Sequence, residues 1–231
     1  WHTSRLLPLD SVPGAWDIPM DMVRLMEPGE LPEPLLPEKI LYLDTETTGL
    51  SGGAGTVAFL TGIGYLTEDG FLVHQYLMRD YPEERFLLEN IAAILPQFDV
   101  LCTFNGKSFD LPLLQSRFRM NRMDPAPLDK PHIDLLHLAR RVWKLRLGRC
   151  NLGRLEEAIF GEPRVDDLPG SQVPERYFSF LKTGQFSLLT DVLDHNRQDI
   201  ASLCHLLTHM AEMYASPELQ KHEQDVYAMG V

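Results

Sequence analysis

The sequence predicts an α/β domain, with a mixed sheet flanked by helices, and three observations indicate this class. Residues 40–43 form a near-continuous apolar run, as expected for a central strand that is buried on both faces. Two further strand-like segments, 56–66 and 70–79, meet at a turn of the hairpin type. After residue 82, segments with helical apolar spacing alternate with short strand-like segments, which is typical of α/β proteins.

The chain divides into three parts by composition. Residues 1–36 are rich in proline and show little periodicity, which predicts an extended arm or linker lying on or beside the domain. Residues 37–214 form the predicted domain, and residues 215–231 a polar, frayed tail. Within the domain we expect a first strand that begins at 40–43 and ends with the acids at 44 and 46, and further strands at 56–66, 70–79, 100–104 and 132–134. We also expect a glycine-rich turn at 51–55, a surface loop at 163–174, a helix that begins within 105–114 and runs to about 120, and helices at 82–95, 135–145, 152–160, 174–182 and 186–214.

The composition excludes several classes of protein. The chain is 44% hydrophobic and 23% charged, as in an ordinary globular protein, and no apolar run is long enough to span a membrane. Three widely spaced cysteines favour a reducing cytoplasm over zinc sites or disulfides. The glycine clusters lack the spacing of a nucleotide-triphosphate loop. Because the first residue is Trp, we expect a fragment of a longer chain, whose flanking regions would offer sites for a protein partner.

The charge is unevenly distributed along the chain. The net charge of −12 argues against a general nucleic-acid binder. Residues 117–154, however, contain ten basic and three acidic residues, a net charge of +7. This basic block is either a local phosphate-binding face or a pair of solvated helices.

A pair of carboxylates ends the first strand of the domain. Asp44 and Glu46 occupy alternate positions, so both side chains point to the same side of the sheet. Two neighbouring anions repel each other unless a cation lies between them, which favours a divalent-metal site. The alternative is a strand that simply ends in a polar turn.

Two later segments carry further candidates. Asp110 falls in the first turn of a helix, where the helix dipole would also stabilise an acid that has no chemical role. His195 and Asp199 are four residues apart in the last long helix and therefore share one face. Alone, a His-x-x-x-Asp pair is more typical of an ordinary side-chain contact than of catalysis.

Together, the three segments resemble the RNase H-like 3′–5′ exonuclease superfamily with four acidic metal ligands, the DEDD exonucleases. The motifs are Asp44-Thr-Glu46-Thr-Thr-Gly, Phe104-Asn-Gly-Lys-Ser-Phe-Asp110 and His195-Asn-Arg-Gln-Asp199. Family-B DNA polymerase proofreading domains carry a similar second motif. In the third motif, His195 has the spacing of the tyrosine found in one main branch, and this combination is similar to the bacterial YprB-like branch.

The resemblance implies a fold and a metal site. The fold is a five-stranded mixed sheet of RNase H-like order, flanked by helices. Two ions, Mg²⁺ or Mn²⁺, would be held by Asp44, Glu46, Asp110 and Asp199, since hard oxygen ligands suit these ions. Two such ions would activate a water and stabilise the leaving 3′-oxygen in phosphodiester hydrolysis.

The resemblance also implies roles for four other side chains. His195 would take the proton from the attacking water. Thr47, Asn105 and Lys107 would contact the terminal nucleotide or its phosphate, and the alternative for each is stabilisation of a loop or helix cap. Asp134, the other acid nearby, is expected to be a helix N-cap rather than a fifth ligand.

The function that we expect is 3′–5′ exonuclease activity on DNA or RNA. A single-stranded substrate is favoured, because an unpaired terminus must enter the site. One alternative is an RNase H-like module that binds nucleic acid without cutting it. The net negative charge and the unusual third motif keep this alternative open. A second alternative is an endonuclease on the same fold, which only the shape of the substrate groove would distinguish.

Overall fold

The computed structural model describes residues 1–27, 29–49, 55–164 and 168–230. Nearly all of the expected glycine-rich turn lies outside these ranges, as do residues 165–167 of the expected surface loop. Among the helices that are described, none is both long enough and apolar enough to cross a membrane.

A six-stranded mixed sheet lies at the centre of the fold. Its strands are β1 (His2–Leu7), β2 (Ile40–Thr47), β3 (Ala58–Thr67), β4 (Gly70–Leu77), β5 (Val100–Thr103) and β6 (His132–Asp134). They are arranged in the order β1-β4-β3-β2-β5-β6. The β2–β5 and β5–β6 pairs are parallel and the other three are antiparallel. The predicted mixed sheet is therefore confirmed.

The sixth strand comes from the proline-rich N-terminal segment. β1 pairs with β4 along its whole length, from His2 opposite Tyr76 to Leu7 opposite Phe71. Most of its residues are exposed, without regular alternation, so its apolar pattern carries no strand signal. The sheet consequently has one edge strand more than the five that were expected.

Eight α-helices flank the sheet in the described residues. They are α1 (Met20–Met26), α2 (Glu84–Ile94), α3 (Asp110–Met120), α4 (Leu135–Leu147), α5 (Leu152–Leu155), α6 (Val173–Thr183), α7 (Thr190–Ala215) and α8 (Glu223–Met229). α5 continues into a π-helical turn, Glu156–Phe160, which ends at Gly161 with a φ of +72°. These bounds agree with the expected helices to within a few residues, apart from α1 and α8, which were not expected.

β2 separates two hydrophobic cores. Ile40 and Tyr42 face the core that includes α1, α4 and α7, whereas Leu41 and Leu43 face the core that includes α2, α3 and α6. All four side chains are fully buried, as predicted for a central strand. Because side chains alternate along a strand, Asp44 continues the face of Tyr42, which α7 covers.

The segment after residue 214 was expected to be a frayed tail, but it contains α8, which packs against α4. Arg146 donates from Nε to both oxygens of the buried Asp225 carboxylate at 2.9 Å, and from Nη2 to Asp225 Oδ2 at 2.7 Å. Met229 is also buried in the core beside α7. A paired charge and an apolar anchor therefore fix this segment, although its overall composition is polar.

Candidate metal centre

Asp44 and Glu46 lie at the carboxyl end of β2. Asp44 is opposite Gly62 of β3 and Glu46 is opposite Leu60, before a bulge between Glu46 and Thr47 interrupts the pairing. Both carboxylates reach side chains of α7: Asn196 contacts Asp44, and His195 lies near Glu46. The two acids therefore share one side of the sheet, as their alternate spacing predicts.

Three of the candidate residues bring a ligand atom within 4.8 Å of one another: Glu46, His195 and Asp199. His195 Nε2 is 3.9 Å from Glu46 Oε1 and 3.6 Å from Asp199 Oδ2. The three side chains are only 12–15% exposed. His195 and Asp199 project from one face of α7, as their four-residue spacing predicts.

Asp44 is held by a side chain for which the sequence offers no signal. Asn196 Nδ2 donates a 2.9 Å hydrogen bond to Asp44 Oδ2, and Gln75 Nε2 of β4 donates one of 2.9 Å to Asn196 Oδ1. Both amides are buried. A Cβ atom on Gly62 would lie 2.3 Å from Asn196 Oδ1, so only glycine leaves room for this arrangement. The hydrogen bonds from Gln75 to Asn196 and from Asn196 to Asp44 therefore orient the Asp44 carboxylate.

Asp110 lies in the first turn of α3, as predicted, and its charge acts on Asp44. Thr45 Oγ1 donates a 2.5 Å hydrogen bond to Asp110 Oδ1, and Asp110 is only 5% exposed. Burial raises the pKa of Asp110 to about 6, although the hydrogen bond from Thr45 by itself lowers this pKa. The protein thus holds a fourth carboxylate in an environment that disfavours its charge.

The carboxylates also act on one another. Burial raises the pKa of Asp44 well above its usual range, and the nearby charges of Asp199 and Asp110 raise it further. Burial likewise raises the pKa of Asp199. Because buried like charges are unfavourable without a counterion, this donor set fits a bound cation, and its oxygen atoms suit a hard divalent ion.

Arg164 brings a positive charge to the site and was not a candidate from the sequence. Its guanidinium donates a hydrogen bond to Asp199 Oδ1, and its Nη1 lies 3.2 Å from His195 Nδ1. Glu156, in the π-helical turn, accepts hydrogen bonds of 2.5 and 2.6 Å from the same guanidinium. Burial by itself would lower the pKa of Arg164, but Glu156 and Asp199 outweigh it, so the pKa is raised.

The turn that contains Asn105 and Lys107 is organised by Asp134. The Asp134 carboxylate accepts hydrogen bonds from the backbone N–H groups of Asn105 and Lys107, at 2.8 and 3.0 Å. It also accepts one of 3.1 Å from Leu136 N, so Asp134 is an N-cap of α4, as expected. Asn105 has a φ of +69°, and these contacts stabilise this uncommon conformation.

Two of the three side chains expected to contact substrate, those of Lys107 and Thr47, have partners within the protein. Lys107 Nζ lies 3.3 Å from Glu27 Oε1 in the N-terminal segment. Thr47 Oγ1 donates a 2.8 Å hydrogen bond to the Gly49 carbonyl. These contacts stabilise the local loops, which is the alternative role considered for both residues.

Comparison with known proteins places the chain in a family. The family model described as the RNase_H superfamily matches residues 41–211, which include every candidate ligand. The chain therefore belongs to the RNase H superfamily, and the membership predicted from the motifs is confirmed.

Two relatives and one solved structure illustrate this membership. The protein named "Uncharacterized protein YprB" of Bacillus subtilis (strain 168) is 38% identical over 195 residues, which cover 82% of this chain and 46% of that protein. A DNA polymerase of Pyrococcus glycovorans is 29% identical over 178 residues, which cover 64% of this chain and 23% of the polymerase. The chain thus spans less than half the length of either relative.

The fold is also that of a domain within a larger enzyme. The family B DNA polymerase of the archaeon Pyrobaculum calidifontis superposes with a TM-score of 0.59 at 15% sequence identity. The match covers 82% of this chain and 27% of the polymerase chain. At this identity the likeness concerns the fold alone.

Proposed function

We propose that this chain is a metal-dependent nuclease that removes nucleotides from the 3′ end of single-stranded DNA or RNA. The cluster of Glu46, His195 and Asp199 beside the end of β2 carries this proposal, together with an Asp44 carboxylate that is close enough to interact electrostatically with Asp199 and Asp110. Membership of the RNase H superfamily and the likeness to DNA polymerases support a nucleic-acid substrate.

The four carboxylates would hold the two Mg²⁺ or Mn²⁺ ions. Asp44, Glu46, Asp110 and Asp199 supply only oxygen ligands, which suit these hard ions better than zinc. When bound, the ions would supply Lewis-acid stabilisation of the phosphate and a water of lowered pKa. The protein's own contribution is orientation: Asn196 holds Asp44, and Thr45 holds Asp110.

His195 is the proposed acceptor of the proton from water. The Arg164 side chain has hydrogen-bond donors but no acceptor, so in its contact with a neutral His195 ring the Nδ1 atom has to be the acceptor. The ring proton then lies on Nε2, which faces Glu46 and Asp199. For Nε2 to accept a proton, the contact with Arg164 has to open so that Nδ1 can carry the ring proton. The proposed mechanism therefore includes a displacement of Arg164 from His195.

The same arginine favours the alternative function, a module that binds nucleic acid without cutting it. The Arg164 guanidinium bonds directly to Asp199, where it partly neutralises one of the proposed ligands. A permanent contact of this kind would weaken the binding of a second cation by electrostatic repulsion.

Degradation of single strands distinguishes these functions. Single-stranded DNA and RNA, labelled at the 5′ end, are incubated with Mg²⁺, Mn²⁺ or EDTA and with the variants Asp44→Asn and Asp194→Asn. Asp194 is an exposed acid on the same helix and serves as the control. We expect a metal-dependent ladder that shortens from the 3′ end, is abolished by Asp44→Asn and is unchanged by Asp194→Asn.

Other outcomes would contradict the proposal. Internal cuts would indicate an endonuclease on this fold. Binding of the strands without cleavage, with either ion, would indicate the non-catalytic module. A cytoplasmic location and a protein partner remain predictions from the sequence.

A further inference from the structure

A basic groove lies along α4, outside the carboxylate cluster. It has a volume of about 990 Å³ and is lined at one end by Phe104 and Asn105. Farther along it is lined by Arg140 and Lys144 of α4 and by Arg149, just after the end of this helix. Its lining residues follow α4 from Leu136 to Gly148, so the groove extends along the helix and is bordered by positive side chains.

One end of the groove lies beside the carboxylate site because β2 and β5 are parallel neighbours. Tyr42 pairs with Cys102. Phe104 and Asp44, each two residues farther along its chain, therefore come to the same level of the sheet edge. The turn after Phe104 then leads into α3, which begins at Asp110. A ligand in the groove would consequently extend from the candidate metal centre.

The positive side chains of the groove are available to an anion. Arg140 and Lys144 lie four residues apart and share one face of α4. Both are exposed, as is Arg149, and none of the three forms an ion pair within the part of the chain that the structure describes. By contrast, Arg146 on the same helix is paired with Asp225.

The groove combines this charge with apolar surface. Leu136, one turn before Arg140 on α4, also lines it, and the Phe104 side chain in its lining is only partly buried. Single-stranded nucleic acid presents an anionic backbone together with flat apolar bases, and proteins bind it with basic grooves and aromatic side chains. The shape and chemistry of the groove therefore complement this polymer better than a small anion, which would need one compact cluster of charges.

We propose that this groove binds the sugar–phosphate backbone of the single strand whose 3′ end enters the carboxylate site. Arg140, Lys144 and Arg149 bind phosphates upstream of the cleaved bond, and Phe104 contacts a base near the terminus. The inference rests on the proposed function and adds the surface that holds the strand. It also gives the basic block in the sequence a specific role, in place of solvated helices.

Binding measured in EDTA tests the groove separately from cleavage. Anisotropy of a fluorescein-labelled oligothymidylate is recorded between about 50 and 200 mM salt. The test protein carries Arg140→Gln, Lys144→Gln and Arg149→Gln. The matched control carries Arg5→Gln, Arg119→Gln and Lys221→Gln, which remove the same charge from exposed positions outside the groove.

We expect the groove variant to bind at least about tenfold more weakly at low salt, with a smaller dependence on salt. Each phosphate contact to a single strand contributes a slope of about 0.7 in log affinity against log salt, so three lost contacts lower the slope by about 2. The control keeps the original slope. A variant with Arg140→Lys and Arg149→Lys retains the charge and is expected to keep the slope as well.

Several results would overturn the proposal. These are an unchanged slope in the groove variant, an equal loss in the control, or the absence of strand binding by the unmodified chain. Unchanged strand binding, together with lost binding of labelled polyglutamate, would assign the groove to an acidic protein segment. Strand binding that depends on the groove, in a chain that never cleaves, would support the groove and contradict the nuclease function.

Discussion

Asn196 and Asp44 are 152 residues apart in the sequence, and a 2.9 Å hydrogen bond joins Asn196 Nδ2 to Asp44 Oδ2. The opposite side of the same amide accepts a hydrogen bond from Gln75, whose own amide also donates to the Leu193 carbonyl at 2.8 Å. Partners of this kind fix the orientation of a metal-binding carboxylate without contacting the metal.

Replacing Asn196 with Ala tests this positioning role. Asp44 would lose its side-chain donor, and we expect metal affinity or activity to fall by about 10- to 100-fold. The measurement is the cleavage rate as a function of Mn²⁺ concentration, where a positioning defect raises the half-saturating concentration. Asp194→Asn on the same helix is the control, and an unchanged Mn²⁺ dependence in Asn196→Ala would contradict the role.

The substitution Gly62→Ala, in β3, tests whether the position of the Asn196 amide orients Asp44. The new Cβ would lie 2.3 Å from Asn196 Oδ1, so the amide or the strand has to move. We expect the free energy of unfolding to fall by about 1–3 kcal/mol, as for other overpacked interiors, and the Mn²⁺ dependence to shift as in Asn196→Ala. Urea denaturation measures the first effect. Gly170→Ala, which adds a Cβ into open space, should leave stability nearly unchanged.

The Glu156–Arg164 pair is expected to stabilise the site strongly. Both side chains are largely buried, at 3% and 8% exposure, and Ser202 Oγ donates a further 2.5 Å hydrogen bond to Glu156. Glu156→Gln leaves Arg164 with only part of its counter-charge, and we expect a loss of about 3 kcal/mol in urea denaturation with EDTA. Glu157→Gln is the matched control.

Glu157 is half exposed and pairs with Arg154 at the surface, so its replacement should change stability by less than about 0.5 kcal/mol. Equal effects of the two substitutions would show that burial of the Glu156 pair contributes nothing.

His132 makes the stability of the fold depend on pH. Burial lowers its pKa from 6.5 to about 4, and its Nε2 lies 2.8 Å from Thr103 Oγ1. Below pH 6.5 the unfolded chain takes up a proton that the folded chain does not bind until about pH 4, so stability falls as the pH drops through this window. We expect the titration of His132 to lower the free energy of unfolding by about 2 kcal/mol between pH 7 and pH 5.

The variant His132→Gln isolates this effect. Glutamine keeps a hydrogen-bonding group near Thr103 but does not titrate, so other groups contribute equally to both proteins. The difference between their free energies of unfolding is measured at pH 7 and at pH 5. The same difference at both values would show that His132 titrates normally in the folded protein.

Much of the candidate site follows from local patterns. The alternation of Asp44 and Glu46, the four-residue spacing of His195 and Asp199, and the position of Asp110 in a first helical turn are all readable along the chain. Backbone geometry sets the direction of these side chains once the element type is known, and the element types follow from apolar periodicity.

The sequence by itself determined the α/β class, the elements of the domain from residue 40 to residue 214, and the motifs that carry the family resemblance. Only the tertiary structure decided which groups pair with one another. It places β1 at the sheet edge, Gln75 and Asn196 beside Asp44, and Arg164 between Glu156 and Asp199. The physical reason is that periodicity records which side of an element is buried. It does not record which polar group, many residues away, will satisfy a buried carboxylate or amide.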